Sequence, residues 1–298
     1  YFKQSEIDAM NEDKKLEELS RIWKNYCTSD IYEPGSTFKP FTVAACLEKN
    51  VVKKNDTFYC DGFEDIMDRR IRCVKRDGHG MLSLSKSLEQ SCNDVMMQIV
   101  RKLGRKDFAR YQNLFGIGSR TGIDYPGETT GLAYNEEQLN PVELATSSFG
   151  QGVSVTMIQM AAGFSSIVNG GTYYKPHLVK ELVNDTGVVV EKNEPVVMKK
   201  TVTKDTAEFI QKALYETVEN GTGWRAKTAG YKLAGKTGTA QKLDNVNGKM
   251  VRSETNYVLS FIGCAPYDNP QAVVYVVVDQ PHIADQTATG IASALAHE

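Results

Sequence analysis

Glu33-Pro34-Gly35-Ser36-Thr37-Phe38-Lys39 marks a turn that becomes a helix. Pro-Gly punctuates the chain. Beyond it Phe38, Phe41, Val43, Ala44, Ala45 and Leu47 make residues 36 to 49 apolar on most sides, which predicts a buried helix beginning at Ser36. Pro40 stands so early in that helix that its missing N–H costs at most one bond of the first turn. Ser36 and Lys39, three residues apart, project from one face about a turn from each other. A hydroxyl becomes a nucleophile when a base takes its proton, and an amine serves only if burial or a neighbouring cation depresses its pKa. The apolar helix offers the burial, and its N-terminus favours negative charge developing during attack on a carbonyl.

Alone, Ser-x-x-Lys is a weak signal, because both residues are common on solvated helix faces. Two more segments give it weight. Ser91-Cys92-Asn93 follows 55 residues on (91 − 36), and Lys236-Thr237-Gly238-Thr239 a further 145 (236 − 91), the order of motifs in penicillin-recognising serine enzymes. The tripeptide falls between helices predicted at 84–90 and 94–103, the second stopped by Gly104. Ser91 can relay a proton between Lys39 and a leaving amine, and the Asn93 amide can hold both Lys39 and a substrate backbone. Lys236 is expected to supply a positive charge that depresses the Lys39 pKa, and Gly238 to leave a strand edge bare for substrate.

Outward from these motifs, residues 5 to 25 read as a short amphipathic helix on a polar surface. Residues 231–242, 256–263 and 272–279 read as strands, with Asp268-Asn269-Pro270 turning the chain between two of them, so an antiparallel sheet is expected. Helices dominate the middle and strands the end without βαβ alternation, which gives an α+β fold. There is no internal repeat.

The 298 residues carry 35 Lys+Arg against 37 Asp+Glu and no long basic tract, which argues against a nucleic-acid partner. No stretch reaches the roughly 18 apolar residues of a spanning helix, and no signal region opens the chain. Tyr1 at the start and a helix broken off at Glu298 suggest a piece of a longer protein.

With three motifs in order, the chain resembles the class B penicillin-binding proteins, monofunctional D,D-transpeptidases that cross-link peptidoglycan. Residues 33–39, Leu144-Ala145-Thr146-Ser147-Ser148-Phe149-Gly150-Gln151-Gly152 and Ala234-Gly235-Lys236-Thr237-Gly238-Thr239-Ala240-Gln241 are similar to that family's signature segments. The resemblance runs from about residue 30 to the end. It implies a mixed, mainly antiparallel sheet flanked by helices with an all-helical subdomain. It also implies an oxyanion hole from the backbone N–H groups of Ser36 and Thr239, and Thr237 and Thr239 hydroxyls on the substrate's terminal carboxylate. No cofactor is implied for catalysis. The implied partners are stem peptides ending in D-Ala-D-Ala, β-lactam antibiotics and, through regions outside the chain, cell-wall assembly proteins. The implied location is the extracytoplasmic face of the cell membrane. The family places strands ahead of its Ser-x-x-Lys helix, and residues 1 to 29 show no strand pattern, so residues 1–298 are expected to be a truncated transpeptidase domain lacking pedestal and anchor.

Three other outcomes share these residues: a D,D-carboxypeptidase, a non-catalytic β-lactam sensor, and a β-lactamase. The last is suggested by Glu136-Glu137-Gln138-Leu139-Asn140, which fits the Glu-x-x-Leu-Asn pattern of class A enzymes. Against it, that segment runs straight into the transpeptidase-like residues 144–152.

Four of the six cysteines, Cys46, Cys60, Cys73 and Cys92, fall within 47 residues. Cys60 and Cys73 flank a possible hairpin, and with His79 and Cys92 they offer four ligands for a structural, tetrahedral zinc, Asp77 being able to replace one. The spacings match no tight knuckle, and a Cys60–Cys73 disulfide competes. Cys92 lies inside the catalytic tripeptide, so a ligand there would brace that loop. Cys46 and Cys264 read as small buried hydrophobes.

Overall fold

The computed structural model describes residues 4–246, 249–283 and 290–298. Its main sheet has three antiparallel strands in the spatial order Ala272–Asp279, Lys249–Ala265, Ala234–Val246. All three expected strands are present, and the first two run longer than their apolar patterns suggested, because they continue as a hairpin past an irregularity between Arg252 and Tyr257. Lys236 pairs with Ile262, Gly238 with Ser260 and Thr239 with Leu259, so the motif lies on one of the two outer strands of the three.

The chain enters the helix at Ser36 by a tighter first turn than expected. Gly35–Phe38 is a 3₁₀ turn, and the α-helix proper is Lys39–Glu48, continuous with it. Every residue from Lys39 to Leu47 is buried. Phe38, Phe41, Phe108 and Phe115 form an aromatic core beneath the helix, with Phe38–Phe41 stacked at 5.4 Å and Phe41–Phe115 edge-on at 5.4 Å. The Met157–Val168 helix approaches Phe41 closely because Gly163 has no Cβ, which would stand 2.9 Å from the ring.

Helices Leu84–Glu89 and Asn93–Leu103 meet at Ser91-Cys92, as expected. The segment between Cys60 and Cys73 forms the hairpin Phe63–Ile66 with Arg69–Arg72, nested inside a pair made by Thr57–Cys60 and Gly80–Ser83. That nesting returns Cys60, Cys73 and His79 to one end of the hairpins. The N-terminal expectation also has its counterpart: helices Gln4–Asp8 and Glu12–Trp23 bury no residue. No helix among the described residues is long and apolar enough to cross a membrane.

Candidate active site

Ser36 is held where three backbones meet. Gly35, in the left-handed region at φ 57°, donates its N–H to the Gly150 carbonyl at 3.0 Å. A Cβ on Gly35 would lie 2.7 Å from the Thr239 carbonyl oxygen, and one on Gly150 would lie 2.1 Å from the Gly35 carbonyl oxygen. No other residue fits either place without displacing the nucleophile turn. Glu33 fixes the same turn from outside: its carboxylate accepts from the Gly152 N–H at 2.8 Å and from both Nη atoms of Arg252 at 2.6 and 3.1 Å. Its side chain is only 8% exposed, so the charge is largely withdrawn from water and matched by one guanidinium.

Lys39 is fully buried and donates from Nζ to the Ser91 carbonyl at 2.5 Å and to Ser91 Oγ at 3.0 Å. Burial lowers its pKa to about 8, while the nearby Cys92 and Cys73 work to raise it. Lys236 is also fully buried, donating to the Thr237 carbonyl at 3.2 Å and to Thr222 Oγ1 at 3.5 Å. Burial, and then the charge of Lys39, hold it well below the lysine range. Burial thus leads at both amines, and the expected repulsion between Lys39 and Lys236, which is mutual, adds to it.

Ser91 presents both groups to Lys39 because its own backbone is left-handed, φ 54°, held by Ser91 N–H to Leu88 O at 3.1 Å and Cys92 N–H to Ser87 O at 2.9 Å. Asn93 opens the next helix and lines the cleft. Its amide donates to the Arg72 carbonyl at 3.5 Å and not to Lys39, so the expected bridge between Asn93 and Lys39 is absent among the described residues.

On the strand, Thr239 Oγ1 is shielded from water and, among the described residues, has no hydrogen-bond partner, an orphan hydroxyl in the wall of the cleft. Thr237 Oγ1 donates to Thr222 Oγ1 at 3.3 Å. Gly238 lines the cleft, and its missing side chain also serves the packing of the strand. A Cβ there would meet Ser260 Oγ at 2.4 Å and the Pro34 carbonyl at 2.8 Å, so the missing side chain lets the strand press on the nucleophile turn.

Thr222 is a residue the sequence reading missed. Its hydroxyl accepts from Lys236 and Thr237 and its one proton can go to the Glu89 carbonyl, 3.4 Å away, so it joins the strand to the helix before Ser91. The available signal was Gly221-Thr222-Gly223 after a long helix: a Cβ at Gly221 would lie 2.6 Å from the Glu89 carbonyl oxygen. Ser36, Ser91, Asn93, Thr222, Thr237 and Thr239 line one cleft of about 590 Å³. Glu136 does not. It is partnered by Arg105 at 4.0 Å and borders a separate cavity with Gln112 and Lys199.

Behind the tripeptide, one ligand atom each from Cys60, Cys73, His79 and Cys92 lie within 4.8 Å of one another. Cys73 Sγ is 3.7 Å from Cys92 Sγ, and His79 Nδ1 is 3.4 Å from Cys60 Sγ and 3.6 Å from Cys73 Sγ. Metal–sulfur bonds of about 2.3 Å and metal–nitrogen bonds of about 2.0 Å on a tetrahedron separate S–S pairs by about 3.8 Å and S–N pairs by about 3.5 Å. The three distances match those separations, which suits the set to a tetrahedral metal, and all four cysteines of the clustered window are free thiols here, with no Cys60–Cys73 disulfide formed. Asp77 is exposed and stands outside the cluster. A hydrogen bond from Cys92, and then backbone N–H groups of Asp94, Lys75 and Asn93, lower the Cys73 thiol to about 4 against its burial. Cys92 is pushed up by Cys73, and burial raises Cys60 to about 11.

A family model for the penicillin-binding protein transpeptidase domain matches residues 2–298. The chain belongs to that family. It is 45% identical over 252 residues to stage V sporulation protein D of Bacillus subtilis, covering 84% of this chain and 38% of that protein. It is 31% identical to a peptidoglycan D,D-transpeptidase FtsI homolog of Mesostigma viride over 88% of this chain and 47% of the relative. Penicillin-binding protein 3 of Mycobacterium tuberculosis superposes with a TM-score of 0.82 at 27% identity, over 92% of this chain and 62% of that one, and structures of that protein hold aztreonam or ampicillin. The expected fold of helices with antiparallel sheet is thus the fold of the transpeptidase domains. The chain spans about half or less of the length of these curated relatives.

If Lys39 is the proton acceptor, acylation of Ser36 rises with pH through a midpoint near its pKa of about 8, because only the neutral amine accepts a proton. Below that midpoint each pH unit slows it about tenfold, and a flat profile between about pH 6 and about pH 9 would remove Lys39 from the role. Glu33→Gln is expected to slow acylation about tenfold by loosening the nucleophile turn while leaving the pH midpoint in place. A moved midpoint would put Glu33 in the proton path instead.

Proposed function

We propose that this chain is a serine acyltransferase that cross-links peptidoglycan stem peptides, a D,D-transpeptidase. The convergence of Ser36, the Lys39–Ser91 hydrogen bonds and the Lys236–Thr239 strand on one cleft supports this reading most directly. Ser36 Oγ attacks the penultimate D-Ala carbonyl of a donor stem, and Lys39 takes the hydroxyl proton. The developing oxyanion sits against the Ser36 and Thr239 N–H groups. Thr237 and the orphan Thr239 hydroxyl receive the terminal carboxylate, beside the buried Lys236. The C–N bond breaks, Ser91 passes a proton to the leaving D-Ala amine, and the ester on Ser36 remains. The amine of a second stem then displaces Ser36 and forms the cross-link. Delivery of the ester to water instead would be carboxypeptidase action. A β-lactam enters by the same first step and stays as the ester.

The reaction belongs outside the cytoplasmic membrane, where stem peptides are, with anchoring and assembly partners on regions beyond this chain. Labelling with a fluorescent penicillin is expected to give a stable adduct lost in Ser36→Ala. Persistence of the label in that variant, or rapid release of hydrolysed drug, would defeat the assignment.

We also propose that Cys60, Cys73, His79 and Cys92 hold a zinc ion, on the support of their tetrahedral spacing. Such an ion would neutralise the thiolates and tie the hairpins to the tripeptide, taking no part in the chemistry. The purified chain should carry about one zinc, and Cys73→Ser should lose it together with thermal stability. Absence of stoichiometric metal in a folded, penicillin-reactive preparation would rule the ion out.

A further inference from the structure

The loop from Cys73 to His79 is bracketed by two members of the cysteine–histidine cluster, and its outer face forms part of the cleft, where Val74 and Arg76 stand with Ser36 and Asn93. Its backbone is closely packed. Gly62, at φ 103°, packs so closely that a Cβ there would lie 2.1 Å from the Arg76 carbonyl oxygen. Cys73 N–H donates to Gly62 O at 2.8 Å, and Gly78 N–H to Lys75 O at 3.1 Å.

The Arg76 side chain is exposed and, among the described residues, makes neither an ion pair nor a hydrogen bond. Arg70, on the adjoining hairpin, shows the contrast: it grips Asp65 through two bonds of 2.7 Å and lies 3.9 Å over the Phe63 ring. Among the described residues no carboxylate lines the cleft, and Lys39 and Lys236, the amines of the site, are fully buried. Among the described residues Arg76 is therefore the charged side chain that lines the cleft, a planar fork on a closely packed backbone with no carboxylate partner.

We propose that Arg76 is a specificity-determining residue that binds a free carboxylate on the acyl chain of the donor, a second anion site separate from the one at Thr237 and Thr239. The substrate class it selects is an acidic acyl donor, one whose chain carries a carboxylate besides the terminal one. This rests on the acyl-enzyme reading of Ser36.

Benzylpenicillin and carbenicillin form a matched pair for the test, since the second carries one more carboxylate, on its acyl side chain. The quantity read is the ratio of their acylation rate constants, carbenicillin over benzylpenicillin, in the full chain at low and high salt. Arg76→Gln is expected to lower the ratio about fivefold, the scale of a solvent-screened ion pair. Salt should lower the ratio in the wild type and leave it nearly constant in the variant. A ratio that is the same in both proteins, or a wild-type ratio indifferent to salt, overturns the proposal. A wild type that benzylpenicillin does not acylate overturns the nucleophile assignment itself, an outcome separable from the other two.

Discussion

Two amines buried in one site set the terms for the rest of this structure. Withdrawing an ammonium from water costs several kcal/mol even after the protein relaxes, and here Lys39 and Lys236 are both fully buried. The protein answers with uncharged oxygen acceptors: the carbonyl and hydroxyl of Ser91 for one, Thr222 and the Thr237 carbonyl for the other. A carboxylate partner would have stabilised both charges and kept both protons in place. Its absence lets burial bring Lys39 down to about 8, where an amine can accept a proton near neutrality.

That electrostatic arrangement is useful only if Ser36 stays where the amine can serve it, and the positioning is done by backbone. Gly35, Gly150 and Gly238 bring the nucleophile turn, the 149–152 segment and the edge strand within contact that a single methyl group would break. The Glu33–Arg252 pair then closes the junction from the far side, joining the turn to the strand next to the one carrying Lys236. Geometry and pKa are thus supplied by different parts of the chain, and each can be disturbed with the other left intact.

How much of this could be read beforehand depended on range. The buried helix after Ser36 was legible because its apolar residues are consecutive, and the last strands because 272–278 is an unbroken apolar run. The hairpin between Cys60 and Cys73 was legible in outline and the ligand types were nameable, but only folding decides that His79 joins the set and Asp77 does not. Glu33 and Arg252 are 219 residues apart, and Thr222 and Glu89 are 133 apart, so no local pattern signals either contact. Gly238 was legible in part for a related reason. A glycine in a strand suggests room for a ligand, and Gly238 lines the cleft, but its contact with Pro34 and Ser260 is again long-range.

Cys92 is where the two halves of the molecule's chemistry touch. It caps the Asn93–Leu103 helix, its sulfur accepting the Val95 N–H at 3.5 Å, a bond that works against the upward push of Cys73 and burial on that thiol. Its neighbour Ser91 sits in a left-handed conformation that a non-glycine residue adopts at a cost of about 1–2 kcal/mol. A loop free to relax would give up that conformation, and with it the carbonyl aimed at Lys39. The cap at Cys92 and the thiol cluster behind it hold the backbone on one side of Ser91, and the Leu88 carbonyl holds it on the other. The strain at Ser91 is sustained because both neighbours are tied, which makes the cysteine cluster part of the reason a buried lysine finds its acceptor.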